Sequence, residues 1–131
     1  MNPQNEIPVS SLETLSRSTI NLFAAGFANG LVKLISCSTG TVMCEVSAHS
    51  RSLNALVCHP FKPIFATCSD DTFTHVFEVT GDKNNADINL VLGSRVNDYQ
   101  LCGLTFCGTN SSSLLAAPYD YKSLVVLDNI V

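Results

Sequence analysis

The 131-residue chain is predicted to be an all-β protein. Three observations predict this class. Short segments rich in β-branched and aromatic residues recur, turn residues separate them, and no window long enough for a helix keeps an apolar spacing of three to four residues. The best helical candidate, residues 10–18, is equally consistent with a short edge strand. Hydrophobic residues make up 46% of the chain and charged residues 14%, which is enough apolar surface to form a core and excludes extensive disorder.

The predicted strands follow one another in order along the chain. They lie at 31–36, 41–47, 53–59, 64–69, 72–79, 88–93, 101–107, 113–117 and 123–128. Asn-Gly at 29–30, Ser-Thr-Gly at 38–40 and Asp-Asp at 70–71 are typical of hairpin turns, and the polar stretch 80–87 (TGDKNNAD) is expected to be a surface loop. The strands are therefore predicted to form antiparallel meanders.

A repeat of fixed length organises these strands. Aligning LFAAGFANGLVKLIS, IFATCSDDTFTHVFE and LLAAPYDYKSLVVLD places Ile35, Phe77 and Leu127 at one repeat position. The first spacing is 42 residues and the second is 50, and the excess of eight equals the length of the polar stretch 80–87. A repeat of about 42 residues has the length of a four-stranded β-propeller blade.

The order of strands and turns carries a family resemblance. The run FAAGFANGLVKLISCSTGTVMCEVSAHSRSLNALVCHP has strand, tight turn, strand, turn, strand, His-containing loop and strand, and ATCSDDTFTHVFEV is similar to the hairpin between the second and third strands of a WD repeat. Residues 9–131 thus resemble the WD-repeat β-propeller family. The resemblance implies about three four-stranded antiparallel blades, at about 9–47, 48–94 and 95–131, after a tail at 1–8. Propellers close with 4 to 8 blades, so an incomplete, open propeller is expected, with a third blade lacking its outer strand.

The resemblance also implies a structural hydrogen-bond network. In a typical WD repeat the network joins a His before the first strand, a Ser or Thr in the second, an Asp in the next turn and a Trp in the third strand. His49, Thr67 and Asp71 match the first three positions, while Phe77 stands at the Trp position and has no N–H donor. The matching positions are Ala25, Asn29 and Ile35 in the first blade and Ala117, Tyr121 and Leu127 in the third, so neither is expected to form the network.

The same His and Asp permit an alternative, hydrolase interpretation. Ser69 or Cys68 would then be the nucleophile, since hydrolases combine a nucleophile with a base and an orienting acid. However, no glycine-rich nucleophile elbow precedes any Ser, and blade stabilisation already explains His49 and Asp71. Cys58 and His59 are adjacent in a strand and point to opposite faces, so they are expected to be structural. The chain is predicted not to be an enzyme.

No cofactor or metal is predicted. Cys102 and Cys107 lack a second pair of zinc ligands at a suitable spacing. Asp82, Asn84 and Asp87 are only faintly similar to a calcium loop, since Gly93 stands where the bidentate Glu is needed. The sequence contains neither GxxxxGK[ST] nor GxGxxG, the glycine-rich patterns that hold nucleotide phosphates.

Charge and cysteine usage limit the partners and the compartment. With 7 Lys and Arg against 11 Asp and Glu the net charge is -4, so no basic field attracts nucleic acid or anionic lipid. The N-terminus has neither the basic nor the apolar region of a signal peptide. The six cysteines lie within apolar runs and are expected to be reduced thiols. A cytoplasmic location without membrane insertion is predicted.

The predicted function is a non-catalytic scaffold for protein–protein interaction, as the C-terminal part of a larger propeller. In the resembled family the docking rim is formed by loops that correspond to 27–29, 48–51, 70–71, 97–100 and 119–121. Within these loops the predicted partner-binding residues are Arg51, Asp70, Asp98, Tyr99 and Tyr119. The alternative is a purely structural element that completes a propeller by self-association. The expected partners are therefore a protein of unknown identity and further copies of the chain or the remaining blades of a longer one.

Overall fold

The described part of the chain is almost entirely β-structure. The computed structural model describes residues 9–14, 22–82, 85–96, 98–128 and 130. The expected tail at 1–8, the second part of the 10–18 segment and Asn97 lie outside these residues. A short 3-10 helix at Thr109–Ser111 interrupts the strands. No helix in the described ranges has the length and apolar character needed to cross a membrane.

Three antiparallel sheets are built from consecutive strands. The first contains β1 (Val9–Thr14), β2 (Leu22–Phe27), β3 (Leu31–Ser36) and β4 (Val42–Ser47). The second contains β5 (Leu53–Cys58), β6 (Ile64–Ser69), β7 (Phe73–Asp82) and β8 (Asn85–Arg95). The described strands of the third are β9 (Leu101–Cys107), β10 (Ser113–Pro118) and β11 (Val125–Leu127). The predicted class, an all-β arrangement of antiparallel sheets that does not close, is confirmed.

The polar stretch 80–87 extends a hairpin, so the prediction of a loop was wrong. β7 runs on to Asp82 and β8 begins at Asn85, with Thr80 paired to Asp87 and Gly81 to Ala86. Residues added in equal number to both arms of a hairpin keep its register and continue the ladder of hydrogen bonds. Ala86 is buried in the core, which holds the base of the extension against the sheet.

The three aligned residues lie in the third strand of their sheets, as the repeat alignment requires. In the third sheet, however, the second strand is displaced by one residue relative to the alignment. Ile35 pairs with Phe23 and Phe77 pairs with Phe65. Leu127, the third aligned residue, pairs with Leu114, whereas the alignment matched Phe65 with Leu115.

The connection between the second and third strands explains this shift. It spans 119–124 in the third sheet, against 28–30 and 70–72 in the others. The third-sheet counterpart of Thr67 is therefore Ala116 rather than Ala117. Neither residue has a hydroxyl group, so the expected absence of the network from this sheet does not depend on the shift.

The cores lie between neighbouring sheets. Leu22, Val32 and Leu34 of the first sheet pack against residues of the second that include Leu53, Leu56, Phe65 and Phe77. Close approach needs a glycine here, since a Cβ atom on Gly26 would lie 2.5 Å from Leu53 Cδ2. On its other face the second sheet packs against the third, through Ile64, Ala66 and Val76 with Leu114 and through Cys68 and Val96 with Leu101 and Ala116. Each fully buried Leu or Phe contributes about 2 to 3 kcal/mol.

Candidate functional site

The loop between β4 and β5 brings His49 to the rim of the second sheet. Its position is fixed by Gly30, whose carbonyl oxygen accepts hydrogen bonds from Ala48 N and His49 N, both at 3.1 Å. Gly30 has φ of 87°, and a Cβ atom there would lie 2.1 Å from His49 O. Only glycine fits this left-handed turn position, so the Asn-Gly turn between β2 and β3 determines where the loop crosses.

His49, Asp71 and Thr67 form one hydrogen-bonded chain. His49 Nδ1 lies 2.9 Å from Asp71 Oδ2 and 3.1 Å from Oδ1, and His49 Nε2 lies 2.8 Å from Thr67 Oγ1. Because a carboxylate only accepts, the network assigns the ring proton to Nδ1, and Thr67 then donates its hydroxyl proton to Nε2. Both polar atoms of the ring are satisfied, and His49 is 4% exposed.

Within this hydrogen-bonded network Asp71 is ionised and His49 is neutral. Burial alone would raise the pKa of Asp71, but hydrogen bonds from Phe73 N, His49 and Ser50 N outweigh it and hold the pKa below its usual range. Burial lowers the pKa of His49 more than the neighbouring carboxylate of Asp71 raises it. Through its hydrogen bonds the Asp71 carboxylate links the turn before β7 to the β4–β5 loop and, by way of His49, to Thr67 inside the second sheet.

His75 is a member of this cluster that sequence reasoning missed. Its ring centroid lies 4.8 Å from that of His49 and 5.7 Å from that of Phe73. Its Nδ1 is buried and has no hydrogen-bond partner among the described residues, and burial lowers its pKa. Gly93 leaves room for the ring, since a Cβ atom there would lie 2.9 Å from Nδ1. The alternation of Phe73, His75 and Phe77 along one strand was the available signal, because it places all three side chains on one face.

A cleft of about 330 Å³ opens on the rim beside this cluster. Its lining combines opposite charges with polar groups: Ser50, Arg51, Asp70, Asp71, Thr72, Arg95, Asp98 and Gln100. Three of the five residues predicted to bind a partner, Arg51, Asp70 and Asp98, thus line the same cleft. Asp98 forms an ion pair with Arg95.

Asn54 connects this cleft to the third sheet, and no sequence pattern indicated this contact. Its side-chain amide donates hydrogen bonds of 2.7 Å to Asp70 Oδ1 and to Leu101 O. The two bonds fix the turn at Asp70 relative to the first strand of the next sheet. A partner of Asn54 that lies 47 residues away is set by sheet packing, which no local pattern encodes.

The remaining predicted residues, Tyr99 and Tyr119, lie next to the cleft. The ring of Tyr99 contacts that of Tyr121 in a tilted arrangement, with centroids 4.5 Å apart. Tyr119 N donates to Gln100 O at 2.7 Å, and the Tyr119 side chain is 65% exposed. The rim therefore carries a cleft of mixed charge with an exposed aromatic group beside it, and Tyr121 is an addition to the predicted set.

His59 ties the opposite ends of the second and third sheets. It is fully buried, and its Nδ1 accepts hydrogen bonds from Phe61 N at 3.0 Å and Lys62 N at 3.1 Å. The ring proton is therefore on Nε2, which donates to Ser111 O at 3.0 Å. Every polar atom of the ring has a structural partner.

Neither of the two residues considered as a nucleophile, Cys68 and Ser69, is accessible for reaction. Cys68 is fully buried against the third sheet, and burial raises its pKa to about 12. Thr67 faces the opposite side of β6, so Cys68 points away from His49. Ser69 is also fully buried, and its hydroxyl oxygen accepts a hydrogen bond from Asp71 N at 3.1 Å. Among the described residues, no group of three or more His, Cys, Asp or Glu is placed to hold a metal ion.

The family follows from a match over nearly the whole sequence. The model of the WDR54 family matches residues 3–129. The chain belongs to the WDR54 family. Curated relatives that this WDR54-family chain resembles are WD repeat-containing protein 54 of Mus musculus, 31% identical over 106 residues, and of Homo sapiens, 31% identical over 105 residues. Each alignment covers 79% of this chain but only 32% and 31% of the relative, so the chain spans about a third of their length.

A solved structure supports the same fold for the WDR54-family chain. The β-propeller domain of Cps50 (Swd1) from Myceliophteria thermophila superposes with a TM-score of 0.80 at 15% sequence identity. The superposition covers 94% of this chain and 40% of that domain. The three sheets therefore correspond to an arc of a WD-repeat β-propeller.

Proposed function

We propose that this WDR54-family chain is a non-catalytic scaffold that binds a protein partner at the rim of the second and third sheets. One observation carries the proposal: residues from separate loops, including Arg51, Asp70 and Asp98, converge on a single cleft beside the exposed Tyr119. Arg and Tyr are enriched among the residues that dominate interface energies, and loops on a rigid framework are common recognition sites. The hydrogen bonds of Asp71 and Asn54 hold these loops in place before a partner arrives.

The geometry gives no support to the hydrolase alternative. A general base must be within reach of the group that it deprotonates, but the His49 ring is saturated by Asp71 and Thr67. The thiol of Cys68 is protonated at neutral pH because its pKa is near 12. A role in stabilising the blade accounts for each of these residues, so the proposal contains no catalytic step.

The proposal places the chain in the cytoplasm, with a protein as its partner. None of the six cysteines is joined in a disulfide, in accordance with a reducing compartment. The net charge of -4 disfavours a nucleic acid or an anionic membrane surface.

A second candidate function is completion of a propeller by self-association. The observation that favours it is apolar exposure on the outermost described strand of the third sheet and just before it, where Val126 is 51% and Leu124 is 60% exposed. Each blade of a repeat protein buries its faces against neighbours, and uncovered ends promote association. The covering sheets would come from further copies of the chain or from the rest of a longer protein, in which this chain is the C-terminal part.

Partner capture tests the first candidate. The wild-type chain and variants are used as bait in a cell lysate, and the retained proteins are identified by mass spectrometry. Arg51→Ala and Tyr99→Ala are expected to abolish retention of a partner held by the wild type. Lys62→Ala and Phe61→Ala, exposed residues at the opposite ends of the strands, are the matched controls and should retain it. Equal retention by all four variants would reject the rim as the binding surface.

A further inference from the structure

The cleft holds two opposite charges that the protein itself leaves unused. Asp70 Oδ1 accepts one hydrogen bond from Asn54, and Asp70 Oδ2 has no partner among the described residues. The Arg51 guanidinium likewise has no ion pair or hydrogen bond within the described ranges, although both residues line one cleft. By contrast, Asp71 and Asp98 are occupied by His49 and Arg95. Among the described charged groups of the cleft, the Arg51 guanidinium and Oδ2 of Asp70 are thus available to a ligand.

The presence of both an available cation and an available carboxylate oxygen indicates which ligands the cleft can bind. Asp70 and Arg51 do not form an ion pair with each other, so each can bond a group of opposite charge on a ligand. A segment that carries both a cation and a carboxylate satisfies both, whereas a purely basic or purely acidic segment meets one attractive and one repulsive charge. A guanidinium is the better cation, because it bonds a carboxylate with a planar fork and also packs on aromatic rings.

The tyrosines beside the cleft provide the second part of the surface. The rings of Tyr99 and Tyr121 are in contact at a tilt of 31°, and Tyr121 is 48% exposed, so an aromatic ring is available to a side chain that leaves the cleft. The exposed Asp120 directly precedes Tyr121 in the sequence, which favours a cationic side chain over an anionic one at this position. The tyrosine pair therefore favours an Arg side chain, as the carboxylate of Asp70 does.

We propose that the rim cleft recognises a linear peptide segment of mixed charge, with an Arg directed to Asp70 and the tyrosine pair and an acidic residue directed to Arg51. This inference rests on the proposed function, since it names the partner class of the same site. Asp70 is held by Asn54, and Arg51 extends from a separate loop of the rim, so the two opposite charges set the direction in which the segment binds. This assignment excludes a purely acidic segment and a purely basic segment.

A random linear peptide library displayed on phage tests the assignment with the full chain as bait. The enriched peptides are expected to contain an Arg and an Asp or Glu at a constant spacing. The best peptide, labelled with fluorescein, is then titrated by fluorescence anisotropy. Asp70→Asn and Arg51→Gln are each expected to weaken its binding about threefold to tenfold. Glu78→Gln and Lys62→Gln remove the same charges near the other ends of the strands and should leave binding unchanged.

Substitutions made in the protein and in the peptide together identify which peptide charge contacts Asp70 and which contacts Arg51. Replacing the peptide Arg by Gln should remove its sensitivity to Asp70→Asn but preserve its sensitivity to Arg51→Gln, and replacing the peptide acid should do the reverse. Enriched peptides of one charge sign, apolar peptides, or no enrichment would overturn the assignment. If the captured partner of the lysate experiment still depends on Arg51 and Tyr99, the proposed function survives that failure. If the rim variants change neither experiment, both are rejected.

Discussion

The imidazole ring of His75 lies 4.8 Å from the ring of His49, so two titratable side chains share one buried face of the second sheet. Burial lowers the pKa of both rings from the ordinary value of 6.5. The unfolded chain therefore binds protons at a higher pH than the folded protein does. The free energy of unfolding should have its full value above pH 6.5 and decrease as the pH falls below it.

Urea unfolding at about pH 7.5 and about pH 5.5 measures this effect. Each ring contributes at most about 1.4 kcal/mol per pH unit, and His75 contributes less because it is partly exposed. Asp71 stays ionised throughout, since its pKa lies below its ordinary value of 3.8. His75→Phe should reduce the pH dependence without loss of stability at neutral pH, because the Nδ1 it removes has no partner. Identical stability of the wild type at both pH values would contradict the prediction.

Thr67→Val should destabilise the protein, and a second threonine offers a matched control. The substitution keeps the shape of the side chain but leaves the buried His49 Nε2 without its donor, at a cost of about 1 to 3 kcal/mol. Thr74 is equally buried on the neighbouring strand, but its hydroxyl has no partner among the described residues. Thr74→Val is therefore expected to be neutral or stabilising in the same urea titration. Equal losses from both substitutions would show that the hydrogen bond to His49 is not the cause.

Gly30→Ala should be much more harmful than Gly40→Ala. Both glycines have positive φ, 87° and 72°, so both alanines carry backbone strain of about 1 kcal/mol. Only at Gly30 does the new Cβ atom meet backbone, 2.1 Å from His49 O, while nothing lies within 4 Å of it at Gly40. The expected additional loss is about 2 kcal/mol or more. Thermal unfolding of the two variants side by side provides the measurement, and similar melting temperatures would refute the prediction.

His59→Phe should weaken the junction of the second and third sheets. The change preserves an aromatic ring but removes two acceptor contacts to backbone N–H groups and one donor to Ser111 O. Loss of these buried hydrogen bonds should cost about 2 to 4 kcal/mol. Hydrogen exchange should also accelerate for the amides of Phe61 and Lys62, which lose their acceptor. Unchanged protection of these two amides would argue against the bonds described.

The chain is expected to associate in solution at micromolar concentration, through the faces that its sheets leave uncovered. Multi-angle light scattering should give the mass of a dimer or a larger assembly. A charge at Val126, as in Val126→Lys, should shift the mass toward that of a monomer because the strand edge would have to bury an ammonium group. Phe61→Lys, at a comparably exposed residue on the opposite rim, serves as the control. A wild-type chain that stays monomeric would exclude self-association.

Local patterns predicted the strands well because each strand pairs with strands that are its neighbours along the chain. The Asn-Gly turn at 29–30 sets the register of β2 and β3, and β-branched alternation identifies β6 and β7. The polar composition of 80–87 was misleading, since a hairpin whose arms project into solvent needs no apolar face to continue its ladder. Polar composition indicates exposure to solvent, and the described residues of this stretch other than Ala86 pair while they are exposed.

The candidate site was only partly predictable, for a different reason. His49, Thr67 and Asp71 stood at positions of a known repeat, so their proximity could be expected. His75 and Asn54 occupy no such positions, and Tyr121 stands at the position of Asp71 without its carboxylate; their contacts depend on how closely the sheets and loops pack. The one-residue shift at Leu114 likewise comes from the length of a loop, which an alignment without a gap cannot represent.

Each sheet is made from strands that are neighbours in the chain as well as in space. A polypeptide leaving the ribosome can therefore assemble the first sheet before the second has been translated, and each new sheet finds a finished surface on which to fold. Synthesis itself then supplies the order of assembly, and few competing pairings are available at any moment.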